Sequence, residues 1–192
     1  MTIRKIAHLG HPVLRQKAAF VPIEDIKTES IQRLLTDMRD TVIDADGAGL
    51  AAPQVHESKR IVLLDLEDQQ GFQIWINPSI TPLSDEFRVG FEGCLSVPNM
   101  RGAVARYSKI KVEGWNEKAE PFSIVLEDFP ATVAQHECDH LDGIVYIDRI
   151  EAGTLAFLEE YNRYQDHLWD MLGEEEDDLI DDDIDTQLFH RE

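Results

Sequence analysis

Residues 130–141, PATVAQHECDHL, decide which fold the chain is expected to adopt. The stretch begins at a proline and continues with helix-compatible residues, so it predicts a helix over 130–141. His136 and His140 are four residues apart and therefore share one helix face, separated by roughly 6 Å along the axis. Two imidazoles so placed can bind one divalent ion, and Glu137 can reach a water on that ion. The pattern indicates a metallohydrolase, although a surface helix can carry the same residues by chance.

A catalytic site of this type needs a third protein ligand. Downstream of the helix no candidate has a distinctive sequence context; the candidates are Glu151, Glu159, Glu160 and His167. Upstream, Cys94 follows a glycine, and a thiolate there would complete the set. From the residues alone, Cys94 can equally be a buried, inert thiol. Cys138 points away from the histidine face and is expected in the core, and no disulfide is expected in a reducing compartment.

Three short motifs follow one another along the chain. Residues 47–54 read GAGLAAPQ, residues 92–96 read EGCLS, and residues 135–141 read QHECDHL. With these motifs, the chain resembles the peptide deformylase family over about residues 3–150. The resemblance implies a metal-dependent hydrolase that removes the formyl group from formylmethionyl peptides of newly made proteins and releases formate. It also implies that a metal-bound water is the nucleophile.

The resemblance assigns further roles residue by residue. Three residues take the metal-ligand positions: Cys94, His136 and His140. Glu137 takes the position of the general acid and base. The side-chain amide of Gln54 and the backbone N–H of Leu95 take the positions that stabilise the oxyanion, where a tetrahedral intermediate concentrates charge. The implied metal is one divalent ion, iron(II) in the cell, with zinc, nickel or cobalt in the purified protein; the ligand types suit zinc equally well.

Substrate contacts are implied by the resemblance for five residues: Gly47, Ala48, Gly49, Gly93 and Arg101. Gly47 and Gly49 suit a backbone that binds the peptide like an added strand, and they also suit a turn that ends a helix. Arg101 stands by resemblance near the outgoing chain of the substrate, and Arg106 can pair with Glu92. Each arginine can alternatively be a solvated surface charge. Asp139 is either an exposed helix residue or an acceptor that orients a ligand or pairs with a cation.

Two positions depart from the family pattern. Ala48 and Gly90 are small where family members more often carry larger aliphatic residues around the pocket for the methionine side chain. This departure predicts a wider pocket, unless a neighbour such as Phe91 or Phe129 fills the space.

Apolar periodicity predicts the remaining elements. Helices are expected at 28–44, 130–141 and 154–172, and strands at 60–66, 73–76, 109–115, 121–126 and 144–147, with loop and short strand over 81–100. These elements predict an α+β fold, with small mixed or antiparallel sheets packed around the central HExxH helix and an N-terminal and a C-terminal helix. A catalytic domain of residues 1–172 is expected, followed by an acidic tail at 173–192.

The formal net charge is −20, and most residues between 174 and 185 are Asp or Glu. This balance disfavours direct nucleic-acid binding, which normally needs a basic face. No apolar run approaches membrane-spanning length, so a cytoplasmic protein without a membrane partner is expected. The implied partners are formylated nascent peptides. Ribosome contact through the C-terminus is disfavoured, because the last predicted helix and the tail are acidic and would be repelled by ribosomal RNA.

Overall fold

The structure, a computed structural model, describes residues 2–66 and 71–173. Among these residues, three α-helices are α1 (Glu29–Asp44), α2 (Asp128–Leu141) and α3 (Leu158–Asp170). Eight strands are β1 (Gly49–Ala51), β2 (Ile61–Leu64), β3 (Gln73–Pro82), β4 (Phe87–Cys94), β5 (Val97–Tyr107), β6 (Lys109–Trp115), β7 (Pro121–Glu127) and β8 (Ala156–Phe157). The predicted acidic tail lies outside the described residues from residue 174 onward. No described helix is long and apolar enough to cross a membrane.

The strands pair antiparallel in two sheets. The larger sheet has the order β1-β2-β3-β6-β7, and the smaller sheet has the order β4-β5-β8. Strand β1 therefore lies at one edge of the larger sheet, and β4 lies at one edge of the smaller sheet. The predicted α+β class is confirmed.

Strand β2 shows how the larger sheet is covered by helices on both faces. All four of its residues are buried. Ile61 and Leu63 belong to the core that also contains the apolar face of α1, while Val62 and Leu64 belong to the core that contains α2. Successive strand side chains point to opposite faces, so the two helices must cover opposite sides of the sheet. The HExxH helix is thereby held against the middle of the fold.

The prediction of loop and short strand over residues 81–100 is wrong. Strands β4 and β5 form a long hairpin there, with Gly90 opposite Val104 and Glu92 opposite Gly102. Glycines within β4 hide the alternation of apolar and polar side chains that normally indicates a strand. The pairing with β5 supplies the order that local sequence does not.

Strand β3 also runs beyond its predicted end at residue 76, through an irregularity between Ile76 and Ser79. Asn77 has a φ of 53° at this point, a conformation that asparagine tolerates. Its side chain accepts from the Val21 N–H at 2.9 Å and donates to the Val21 carbonyl at 2.7 Å. These bonds let the strand continue past Asn77-Pro78 to Pro82.

The segment after α2 differs from the prediction in two ways. Residues 144–147 do not form a strand; a 3₁₀ turn, Tyr146–Asp148, stands there, closed by the Val145 N–H donating to the Asp148 carboxylate at 2.9 Å. The last helix begins at Leu158 rather than at residue 154. Before it, the chain follows the edge of β5 and pairs with it as β8.

Candidate active site

The fold brings the three predicted metal ligands together. Cys94 ends β4 in the hairpin with β5, and His136 and His140 lie on the buried face of α2. Their ligand atoms all lie within 4.8 Å of one another, and Cys94 Sγ is 3.3 Å from His140 Nε2. Among the described residues this is the one group of three such side chains that can hold an ion.

The donor set fits a divalent metal. Tetrahedral sites of sulfur and imidazole ligands have bond lengths of about 2.0–2.3 Å, which require donor atoms a few ångströms apart, as found here. Burial raises the pKa of the Cys94 thiol, but the charge on His140 and the hydrogen bonds from both histidines outweigh it and hold the pKa well below its ordinary value. A thiolate is the form that binds metal.

Glu92 fixes the orientation of the first histidine. The Nδ1 atom of His136 lies 2.8 Å from the Glu92 carboxylate, so Nε2 is the ring atom left to face the cluster. Glu92 is itself held by two bonds from Arg106, at 2.8 and 3.0 Å. Burial raises the pKa of Glu92, and the hydrogen bonds from Arg106 and His136 overcome this effect and lower the pKa to about 2. A carboxylate behind a ligand imidazole is a common feature of metal sites.

Arg106 continues this chain of ion pairs toward the surface. Its Nη1 donates to Asp139 at 2.5 Å, and Arg149 donates twice to the same carboxylate, at 2.7 and 2.8 Å. Of the two interpretations of Asp139, the structure therefore supports pairing with cations rather than solvation. Arg106 is paired with Glu92 and is only 4% exposed, so it is not a solvated surface charge.

Glu137 lies beside the cluster in a buried position. Its side chain is 4% exposed, and Oε2 has no hydrogen-bond partner among the described residues. Burial is the largest influence on the carboxyl group; although the two histidines lower the pKa, it remains raised to about 7. A carboxyl group with that pKa can both accept and release a proton near neutral pH.

Gln54 presents its amide donor to the same cluster. Its Oε1 accepts from the Ala51 N–H at 2.7 Å, so Nε2 is the end that faces the site. Nε2 donates to Ser96 Oγ at 3.2 Å and lies 3.6 Å from Cys94 Sγ. Leu95, half-buried between Cys94 and Ser96, packs against the core beside α1. The oxyanion positions implied by the resemblance thus lie next to the metal cluster.

The predicted substrate-binding glycines lie in close contact with their neighbours. A Cβ on Gly47 would lie 2.9 Å from Leu95 Cδ1, and a Cβ on Gly93 would overlap the Arg101 guanidinium. Arg101 is 4% exposed and donates to the Met100 carbonyl at 3.0 Å, so it is not a solvated surface charge. Ala48 is half-buried and precedes β1.

The structure also addresses the small residue at position 90. A Cβ on Gly90 would meet no atom within 4 Å. Phe91 does not fill this space, because its ring packs against Tyr161 at 4.9 Å and Trp169 at 5.0 Å on α3. Phe129 packs against the core around α2.

Three residues of the site were not predicted from sequence. Ser96 accepts from Gln54, Arg149 ends the chain of ion pairs, and the ring of Tyr146 stacks on His136 with centroids 6.0 Å apart. Ser96 could have been found from its place in the EGCLS motif. Arg149 and Tyr146 lie in an irregular segment whose sequence has no periodic pattern, so only the fold reveals their position.

Comparison with known proteins identifies the family. The family model for polypeptide deformylase matches residues 3–155. The chain is 43% identical over 165 residues to a peptide deformylase of Leptospira biflexa, covering 81% of this chain and 92% of that protein. It is 44% identical over 151 residues to a peptide deformylase of Natranaerobius thermophilus, covering 79% of this chain and 94% of the relative.

Solved structures of peptide deformylases also resemble this chain in fold and sequence. The peptide deformylase of Thermotoga maritima is 38% identical with a TM-score of 0.73, covering 79% of this chain and 99% of the other. The class I type b peptide deformylase of Acinetobacter baumannii bound to Met-Ala-Ser is 34% identical with a TM-score of 0.73, covering 78% and 99%. The matches to relatives, the fold and the three sequence motifs all have the same explanation. This chain belongs to the peptide deformylase family and is a hydrolase of the deformylase type.

Proposed function

We propose that the enzyme removes the formyl group from N-formylmethionyl peptides of newly made proteins and releases formate. The observation that carries this proposal is the cluster of the half-buried Cys94 with the buried His136 and His140, with Glu137 beside it. The Acinetobacter baumannii relative bound to Met-Ala-Ser supports a peptide that begins with methionine as the ligand class.

Cys94, His136 and His140 would hold one divalent ion. We infer iron(II) in the cell and zinc, nickel or cobalt as alternatives in purified protein, since the sulfur and imidazole donors suit all four. When bound, the ion lowers the pKa of water and polarises the formyl carbonyl. Glu92 supports the site by keeping His136 Nε2 turned toward the cluster.

Glu137 carries the proton in this mechanism. Its carboxylate accepts a proton from the attacking water, and its carboxyl group returns that proton to the departing amide nitrogen. A pKa of about 7 suits both steps, because neither protonation state is strongly disfavoured at neutral pH.

Gln54 and Leu95 stabilise the charge that develops on the formyl oxygen. The amide orientation of Gln54 is set before substrate arrives, because Oε1 is held by the Ala51 N–H. Donors fixed in this way do not need to reorganise in the transition state. The backbone N–H of Leu95 is the second donor in the proposal.

The peptide would bind between two strand edges. Strands β1 and β4 are both terminal strands of their sheets, and both end in motif residues. An extended peptide can add to such an edge through backbone hydrogen bonds. We assign these contacts to the residues Gly47, Ala48, Gly49, Gly93 and Arg101.

We further propose that residues 1–172 form the catalytic domain and residues 173–192 an acidic tail. The negative charge of this tail disfavours direct binding to nucleic acid and docking on ribosomal RNA. A cytoplasmic location fits an enzyme that meets nascent peptides.

Glu137→Gln tests the mechanism. The amide cannot accept the proton, so formate release should fall by about 100-fold or more while elemental analysis finds the metal retained. Cys94→Ser is the companion variant and should lose or exchange the metal. Near-normal turnover by Glu137→Gln would refute the assignment. Cleavage of internal bonds in unformylated peptides would favour the rival function, a general metalloendopeptidase.

A further inference from the structure

Gly49 lies where the Glu137 side chain needs space. A Cβ built on Gly49 would be 2.6 Å from Glu137 Oε1 and 2.8 Å from both Cδ and Cγ. Real Cβ atoms do not approach other atoms this closely, because van der Waals repulsion is steep. The Glu137 carboxylate therefore rests directly against the backbone of β1.

Backbone conformation does not explain the glycine at this position. Gly49 has no left-handed φ, and it pairs with Leu64 in regular antiparallel register. Any residue can adopt such an extended conformation. Glycine is thus required at position 49 because a side chain would lack space. The three atoms nearest to an added Cβ all belong to Glu137.

The backbones on both sides of the contact are held in place. Glu137 is 4% exposed and lies on α2. The residue before it, His136, is held by a hydrogen bond of 2.8 Å to Glu92. On the other side, β1 is paired to β2, and the Ala51 N–H at its end holds Gln54 Oε1 at 2.7 Å. A side chain at position 49 would either turn the carboxylate away from the cluster or displace β1 together with Gln54.

We propose that Gly49 is a positioning residue for Glu137, and that its missing side chain sets where the carboxylate rests relative to the metal ligands. This role differs from a backbone contact with substrate. Its catalytic consequence rests on the proposed function of Glu137, whereas the steric coupling between the two residues does not.

A double-mutant cycle on stability tests the steric coupling. Gly49→Ala should lower the melting temperature by about 4 °C or more in the enzyme that has Glu137. In a Glu137→Ala background the three contacting atoms are gone, so the same substitution should cost much less. Gly90→Ala is the matched control, because its added Cβ meets no atom within 4 Å and should show no coupling with Glu137→Ala. Equal losses in both backgrounds would overturn the proposal.

Kinetics of the metal-loaded enzyme test the consequence. Gly49→Ala should retain its metal and lose about 100-fold in kcat with little change in KM, because a misplaced proton carrier impairs chemistry more than binding. A raised KM with normal kcat would show that the added side chain impairs substrate binding rather than the placement of Glu137, and would overturn the positioning role. If Glu137→Ala proved fully active, the proposed function would fail, while the stability cycle would still report on the contact.

Discussion

At the scale of single residues, Tyr146 carries a buried polar group without a partner in the described part of the chain. Its ring stacks on His136, its side chain is 1% exposed, and its hydroxyl has no hydrogen-bond partner among the described residues. Burial is the largest influence on this group and raises the pKa of the phenol, with the negative charge of Cys94 adding to the effect. The hydroxyl is therefore a cost to stability rather than a source of it.

Tyr146→Phe should stabilise the protein. Removing a buried, unpaired hydroxyl while keeping the ring should raise the unfolding free energy by roughly 1 kcal/mol, which corresponds to about 2–4 °C in melting temperature. Tyr164→Phe is the control, because Tyr164 is 52% exposed and its hydroxyl can bond to water. A lower melting temperature for Tyr146→Phe would show that the hydroxyl has a stabilising partner.

At the scale of elements, ion pairs join the HExxH helix to the segment that follows it. Glu92 on β4, Arg106 on β5 and the half-buried Asp139 on α2 form a series of ion pairs that ends at Arg149, just after the 3₁₀ turn. Truncating one member leaves a neighbouring charge less well compensated, and the effect is larger where the neighbour is buried. These ion pairs hold the hairpin and the helix in the arrangement that the proposed metal site needs.

Arg149→Ala should weaken metal retention at the proposed site, although Arg149 is not itself a proposed ligand. The substitution leaves Asp139, which is 12% exposed in its side chain, with Arg106 as its remaining cation. We expect a loss of about 2–4 °C in melting temperature and faster removal of the metal by a chelator. Arg163→Ala is the control, since Arg163 bonds to exposed glutamates on α3 and such pairs contribute little. Indistinguishable results for the two variants would contradict the prediction.

The 3₁₀ turn contributes a stability term that depends on pH. Burial raises the pKa of Asp148, but hydrogen bonds from Arg15 and the Val145 N–H outweigh it and lower the pKa below its ordinary value of 3.8. A depressed carboxyl pKa stabilises the fold above the unfolded-state value, and this stabilisation is lost as the pH falls through the folded-state value. The relevant window therefore lies around and below 3.8.

Asp148→Asn should be less stable than the parent at neutral pH and equally stable in acid. The difference at neutral pH should stay below about 1 kcal/mol, because the Arg15 and Asp148 side chains are well exposed to solvent and screened. Denaturant titrations of both proteins, from neutral pH down into acid, measure this difference in the free energy of unfolding. A difference that persists below about pH 3 would show that charge is not its cause.

At the scale of the whole molecule, α3 closes the fold against the small sheet. Phe91 on β4 packs against Tyr161 and Trp169 of α3, and β8 leads into that helix after pairing with β5. The Thermotoga maritima relative matches 99% of its own length while covering 79% of this chain. The family model matches residues 3–155, so the residues after 173 lie outside the part of the chain that it matches.

Two truncations test this division of the chain. Ending the protein after Gly173 should leave the melting temperature and formate release unchanged, because the family model ends before this point, at residue 155. Ending it after Phe157 should destabilise the enzyme by several kcal/mol, since Phe91 loses two aromatic partners, the buried Tyr161 and the half-buried Trp169. Loss of activity in the protein that ends after Gly173 would contradict the assignment of residues 173–192 as a separate tail.

The sequence by itself determined the elements with strong local periodicity. The helix expected at 28–44 is α1 at Glu29–Asp44, and the strand expected at 109–115 is β6. The HExxH helix was also predicted, with its start placed at residue 130 rather than at Asp128. Such predictions succeed because side-chain spacing along one element reports directly on which face is buried.

Only the tertiary structure decided how distant residues meet. The β4–β5 hairpin was hidden by its glycines, and Cys94 lies 46 residues before the histidine that it contacts. Pairing between distant segments leaves no periodic trace in either one, so the cysteine could be placed from sequence by family resemblance alone. The contact of Gly49 with Glu137 is of the same kind. A missing side chain becomes informative only when the fold shows what occupies its place.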